Sequence, residues 1–177
     1  MFEDQIYFLY LTVFMSANKI QIVCQKIISG GQTGVDRGAL DACFDYSFPC
    51  GGWCPKGRLA EDGAIDKKYP LQETKEKEYS ARTIKNVEEA DGTLIIAPEN
   101  ISGGTMLTYQ VAKKKNKPVI LVHPDPADNS MKISSITGWL VTHSIKTLNV
   151  AGPRESEWPE AWSKSRKLVG QLLKLIH

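Results

Sequence analysis

The feature that most restricts the fold is an alternation. From residue 20 onward, short and nearly continuous Val/Ile/Leu runs are separated by amphipathic stretches, and each apolar run ends in turn residues. The runs at 20–29 (IQIVCQKIIS), 92–97 (GTLIIA), 118–122 (PVILV) and 147–150 (TLNV) leave little room for a solvent-facing side. They read as strands covered on both faces, with a shorter strand around 50–53. Helical spacing occupies 35–44, 79–90, 105–115, 133–144 and 157–176, the last carrying Trp158, Trp162, Val169, Leu172 and Ile176 near one face. Strands joined by helices of this length run parallel, so the pattern predicts an α/β fold: a Rossmann-like three-layer sandwich with a mostly parallel sheet of about five strands. No repeat or low-complexity tract interrupts it, and residues 20–177 are expected to form one ligand-binding domain behind an extension at 1–19.

Composition removes several function classes. Lys plus Arg total 22 against 20 Asp plus Glu, a net charge of +2, which lacks the basic excess of a nucleic-acid binder or a polybasic membrane patch. The apolar run at 6–15 (IYFLYLTVFM) is about half the length of a spanning helix. Glu3 and Asp4 precede it where a secretory signal would carry positive charge. It reads as an appendage, an edge strand or a packing arm, and Met15 is an alternative start. The four cysteines, Cys24, Cys43, Cys50 and Cys54, are too sparse for a disulfide scaffold and fit a reducing cytoplasm. Cys50 and Cys54 resemble half a zinc site, but no second pair follows at ligand spacing, so no protein-bound metal is expected.

In a doubly wound sheet, ligands lie outside the carboxyl ends of the strands, which directs attention to the loops there. Two are glycine-rich. Ser29-Gly30-Gly31-Gln32-Thr33-Gly34-Val35-Asp36-Arg37 runs from a strand into a helix, and Ile101-Ser102-Gly103-Gly104-Thr105 does the same later. Glycines allow close approach to an anion, and helix-start amides, with Thr33, can hydrogen-bond phosphate oxygens. Either loop alone is also compatible with a tight turn capped by Ser or Thr. Neither is a dinucleotide fingerprint or a P-loop.

A third constellation, GGWCPKGRLAEDG over 51–63 followed by Tyr69-Pro70-Leu71, forms a long irregular segment of the kind that is usually functional. Lys56 and Arg58 offer cationic donors for an oxyanion, and Trp53 or Tyr69 a flat wall for a ring. The alternative is a solvated loop with Arg58 paired to Glu61. Arg82 and Asn86 share a helix face that points either at the pocket or at solvent. Arg154, Glu155 and His123 follow strands and so stand at the functional end.

The run IISGGQTGVDRGALDA, then PCGGWCPKGRLAEDG, YPLQET, the 82–86 helix, DGTLII, SGGT, KPVILV and NVAGPRES together resemble the molybdenum carrier family, the circularly permuted branch of the SLOG superfamily of Rossmann-like proteins. The resemblance spans about 26–155. It implies a small, often oligomeric cytoplasmic protein that holds a phosphorylated ligand, with molybdenum cofactor as cargo and a molybdoenzyme or cofactor-synthesis protein as partner. Carried over by motif, Gly30, Gly31, Thr33, Gly34, Asp36 and Arg37 form the first ligand loop and Ser102, Gly103, Gly104 and Thr105 the second. Lys56, Arg58 and Glu61 match the middle motif, with Arg82 beside it. The competing reading is a phosphoribohydrolase of the same superfamily, for which Asp36 or Glu61 would supply the carboxylate that the residues after Thr105 lack. A nucleotide sensor is a third.

Overall fold

The computed structural model describes residues 24–124 and 127–176; the apolar run at 6–15 and the expectations attached to it lie outside. The central sheet contains β1 (Lys26–Ile28), β2 (Cys50–Gly51), β7 (Gly92–Ile96), β8 (Val119–Val122) and β9 (Thr147–Ala151), in the order β2-β1-β9-β7-β8. Every pairing in it is parallel. The helices are α1 (Val35–Asp45), α2 (Tyr79–Glu89), α3 (Gly103–Lys114), α4 (Ser130–Thr142) and α5 (Ala161–Ile176). This is the expected α/β Rossmann-like three-layer sandwich, with five strands in the sheet.

Period-two alternation explains the layers. Ile27, Leu94, Ile96, Leu148 and Val150 turn to one face and join a core with Val35, Ala39, Ile136, Leu140, Leu168 and Leu172 from α1, α4 and α5. The intervening residues, Ile28, Thr93, Ile95 and Asn149, are as buried. On their face, Asn149 donates to Thr93 at 3.3 Å, and α2 and α3 pack against each other. The two faces thus differ in chemistry: one is greasy, the other lined by small polar groups such as Thr83, Asn86, Thr105 and Thr108.

Several boundaries depart from the sequence expectation, among them the helix expected over 133–144, which spans Ser130–Thr142. The stretch at 50–53 divides into two strands of different sheets, because β3 (Trp53–Cys54) leaves the main sheet to pair with β6 (Gln72–Glu73). Gly52, at φ 126°, makes that turn; a Cβ there would lie 2.1 Å from the Ser29 carbonyl oxygen. The helix expected from 105 starts at Gly103, so the glycine pair lies in its first turn. The helix expected from 157 starts at Ala161, after Pro159 and after Glu160 at φ 66°. Trp162, expected on its buried face, is 37% exposed and donates its indole N–H to Asp41 at 2.8 Å.

The segment expected to be irregular contains a hairpin of β4 (Leu59–Ala60) and β5 (Gly63–Ala64). Leu40, Cys54, Ile65 and Tyr69 give it a small core of its own. All four cysteines are free thiols. No helix among the described residues is long and apolar enough to cross a membrane.

Candidate functional site

β9 sits between β1 and β7, so the loop after β9 is flanked by the two glycine loops at the carboxyl edge of the sheet. A cavity of about 30 Å³ opens there, lined by Gln32 and Asp36 from the first loop, Gly104, Thr105 and Thr108 from α3, Arg82 from α2, and Arg154 and Glu157 after β9. It lies where the chain reverses direction across the sheet, the position at which doubly wound folds bind ligands. Much larger furrows, such as the one of about 430 Å³ beside Trp162 and Gln171, lie on the outer α1/α5 surface.

The floor of the cavity is an ion pair. Asp36, 3% exposed, accepts from Arg82 Nη1 at 2.6 Å and from the Gln32 amide at 3.2 Å. Gly30 is required by this pair, since a Cβ there would lie 1.4 Å from Arg82 Nη1. Gly31, at φ 75°, would meet Leu71 at 2.4 Å, and Gly34, at φ 74°, would meet the Pro153 carbonyl at 2.6 Å. The glycines of the first loop therefore admit the protein's own groups rather than leaving open backbone. What does remain open is Gln32 Nε2 and Arg82 Nε, both buried and without a hydrogen-bond partner. Orphaned buried donors of this kind call for an acceptor.

The hairpin tip is fastened to the same edge. Glu61 accepts from Thr33 Oγ1, from Ser156 Oγ at 2.5 Å and from the Ser156 amide at 3.3 Å, with Arg154 Nε 3.9 Å away. Burial disfavours its charge, but the hydrogen bonds from Ser156 and Thr33 and the Arg154 charge outweigh this and hold its carboxyl below the usual value. Gln32 Oε1 receives the Glu61 amide at 2.9 Å and the Thr33 amide at 3.0 Å. Arg37 forks onto Asp62 at 2.5 and 2.8 Å and also donates to the Gly31 carbonyl at 3.0 Å.

Five residues expected as ligand candidates do not offer a free group to the cavity. Arg58, at φ 54°, donates to the carbonyls of Ile65, Leu71, Asp66 and Tyr69 at 2.8–3.1 Å, so it is neither paired to Glu61 nor turned to the cavity. Lys56 is exposed and is not among the cavity residues. The Trp53 ring is covered by Lys85 Nζ at 3.9 Å, and Tyr69 is buried, stacked on Phe44 with its hydroxyl 3.0 Å from Asp41. Neither ring is an open wall. Asn86 points inward but is consumed by the Trp53 backbone, accepting from its amide and donating to its carbonyl at 2.9 Å each.

The two helix starts beside the cavity differ. At α5, Glu155 closes the helix by accepting from the amides of Glu160 at 2.7 Å and Trp162 at 2.9 Å. At α3, Ser102 makes no side-chain cap, Ser102, Gly103 and Gly104 are exposed, and a Cβ on Gly104 would meet nothing within 4 Å. Thr105, 4% exposed, completes that turn. Its first amides carry the positive end of the helix dipole. His123, just after β8, bonds the Ala97 carbonyl at 2.8 Å through Nδ1.

A family model described as the circularly permutated YpsA SLOG family matches residues 27–173. The chain belongs to this circularly permuted YpsA SLOG family. A crystal structure from Syntrophus aciditrophicus SB, of a protein named "Putative molybdenum carrier protein", is similar at 43% identity, with a TM-score of 0.79, over 87% of this chain and 95% of that one. Among curated proteins, none matches. The resemblance read from the motifs is therefore correct as to family. Among the described residues of this SLOG chain, no cluster of three or more His, Cys, Asp or Glu could hold a metal ion.

Sequence reasoning passed over Gln32, Thr108, Ser156 and Glu157. Gln32 was visible as the one long polar side chain inside a glycine loop. Glu157 carried a weaker signal, lying three residues beyond Arg154, and the structure pairs the two at 3.2 Å.

Proposed function

We propose that this SLOG protein is a carrier that binds a phosphorylated heterocycle by its phosphate, at the open start of α3. One observation carries the reading: donors without protein partners converge on one cavity. Gln32 Nε2 and Arg82 Nε are buried orphans, and the α3 amides around Gly103, Gly104 and Thr105 have no side-chain cap. A phosphate supplies acceptors for these donors and charge for the helix dipole. Arg82 and Arg154 add cationic surface, while Gly30, Gly31, Thr33, Gly34, Asp36, Arg37 and Glu61 shape the cavity rather than touch the anion. Asp36 and Glu61, the carboxylates a hydrolase would need, are both engaged in pairs, which favours binding over turnover.

The name of the similar protein gives molybdenum as what it carries; with a phosphate site beside it, the cargo we assign is molybdenum cofactor, a pterin bearing both a phosphate and the metal. Its metal would need no ligand from this chain. The test is native mass spectrometry with metal analysis on protein purified gently from a molybdenum-replete host that makes the cofactor. A bound pterin phosphate with stoichiometric molybdenum is expected. Recovery of a nucleotide instead would refute the cargo and keep the phosphate site; failure of phosphate to perturb the Gly103–Thr105 amides would refute the site.

A further inference from the structure

The cavity at the start of α3 is narrow as its side chains now stand. Its roughly 30 Å³ is about the room that one or two waters occupy, so a ligand group entering it competes with the side chains that line it. The lining group nearest the open helix start is a carboxylate. A Cβ built on Gly103 would lie 4.0 Å from Glu157 Oε1, and that oxygen pairs with Arg154 Nε at 3.2 Å. Glu157 therefore lies beside the positive end of α3 and against a cation of the site, where an incoming anion must go.

Its neighbour Glu155 shows that this is not simple capping. The Glu155 carboxylate is tied by two amides of its own helix, whereas Glu157 pairs with Arg154 through a single contact and keeps 44% of its side chain exposed. Arg154 is in turn shared. Its Nε lies 3.9 Å from Glu61 Oε2 and its guanidinium 5.8 Å from the centre of the Tyr79 ring, so it stays anchored when Glu157 leaves.

We propose that Glu157 is a built-in competitor of the ligand: its carboxylate occupies the anion end of the site and swings out to solvent when a phosphate takes its place on Arg154 and the α3 amides. The proposal rests on the phosphate site argued above and deepens it. Glu157 then sets selectivity, because only a group with more negative charge than one carboxylate displaces it. Singly charged carboxylate ligands do not.

The experiment is an NMR titration of the full chain with inorganic phosphate at low salt, following the amides of Gly103, Gly104 and Thr105, for the parent and for Glu157→Gln. Acetate serves as the monoanionic comparison, and a thermal melt of each protein reports folding. Glu157→Gln is expected to bind phosphate about fivefold more tightly, with the gain shrinking as salt rises, and to admit acetate, which the parent excludes. Binding of phosphate by both proteins with equal or weaker affinity in the variant overturns the competitor role and leaves the site standing. No perturbation of these amides in either protein overturns the site itself, and the competitor with it.

Discussion

Replacing Arg82 by Leu tests whether the site floor is as tightly coupled as its geometry requires. The substitution removes the 2.6 Å contact to Asp36, whose side chain is 3% exposed, and leaves a buried carboxylate facing only the Gln32 amide. Breaking a buried pair from one side costs about 3–5 kcal/mol. Arg82 retains 16% exposure at the cavity, which places the expected loss near the lower end, about 3 kcal/mol. For a domain of this size that lowers the melting temperature by about 6–12 °C. Asp36→Leu should cost a similar amount. The double variant should fall well short of the sum, with a coupling energy of about 2 kcal/mol or more in urea-denaturation cycles. Gly30→Ala extends the cycle: its Cβ would strike Arg82 Nη1 at 1.4 Å, so it should be much better tolerated when residue 82 is Leu. A loss under about 1 kcal/mol for Arg82→Leu, the range of an exposed pair, or strict additivity with Asp36→Leu, would refute the reasoning.

The two glycine loops should respond differently to added bulk. Gly104→Val, with open space around its Cβ, is expected to keep the parent melting temperature and lose phosphate binding, whereas Gly31→Val, at φ 75° and 2.4 Å from Leu71, should lower the melting temperature itself. Glu61 and Asp62 both have carboxyl groups held below their ordinary values of 4.5 and 3.8, Asp62 chiefly by its hydrogen bond to Arg37. A depressed folded-state value gives stability that is present above the unfolded value and lost as pH falls through the folded one. Acid titration should therefore destabilise the parent below about pH 4.5, more steeply than it does Glu61→Gln. Among the thiols, Cys50 should react first with iodoacetamide, as read by peptide mass spectrometry. The Cys43 hydrogen bond and, against the effect of burial, the Lys26 charge lower its value, while burial pushes Cys24 up to about 11.

The layers were legible because buried parallel strands write themselves as short, nearly continuous apolar runs: 119–122 is wholly Val/Ile/Leu, while 92–96 and 147–151 admit only small or polar residues such as Thr93 and Asn149 between their Leu, Ile and Val. What failed was local. A two-residue strand such as β3 has no periodicity, so its departure from the main sheet at Gly52 left no trace beyond a glycine pair. Arg58 looked like an anion donor because sequence records its charge but not its positive φ or the four carbonyls folded around it. Gly30 and Gly31 looked like backbone left bare for a ligand, yet they make room for Arg82 and Leu71. Glycine signals close approach without naming what approaches. Composition likewise could not show that β9 brings Arg154 and Glu157 between the two glycine loops, because that depends on strand order.

That strand order also governs when the site comes into being. β1 pairs with β2 and β7 with β8, and among the described residues no pairing joins the two couples except through β9, the last of these strands to be synthesised. A nascent chain released up to about residue 145 carries two ribbons whose strands do not pair with each other, bridged by α2 through contacts such as Arg82 to Asp36 and Asn86 to the Trp53 backbone. Docking of β9 closes contacts across more than 120 residues, such as Ser29 Oγ to the Val150 carbonyl at 2.7 Å, and long-range closures of this kind are slow. Until β9 has docked, the cavity lacks Ala151, Gly152, Arg154 and Glu157, and a C-terminally truncated chain keeps both glycine loops but not the wall that stands between them.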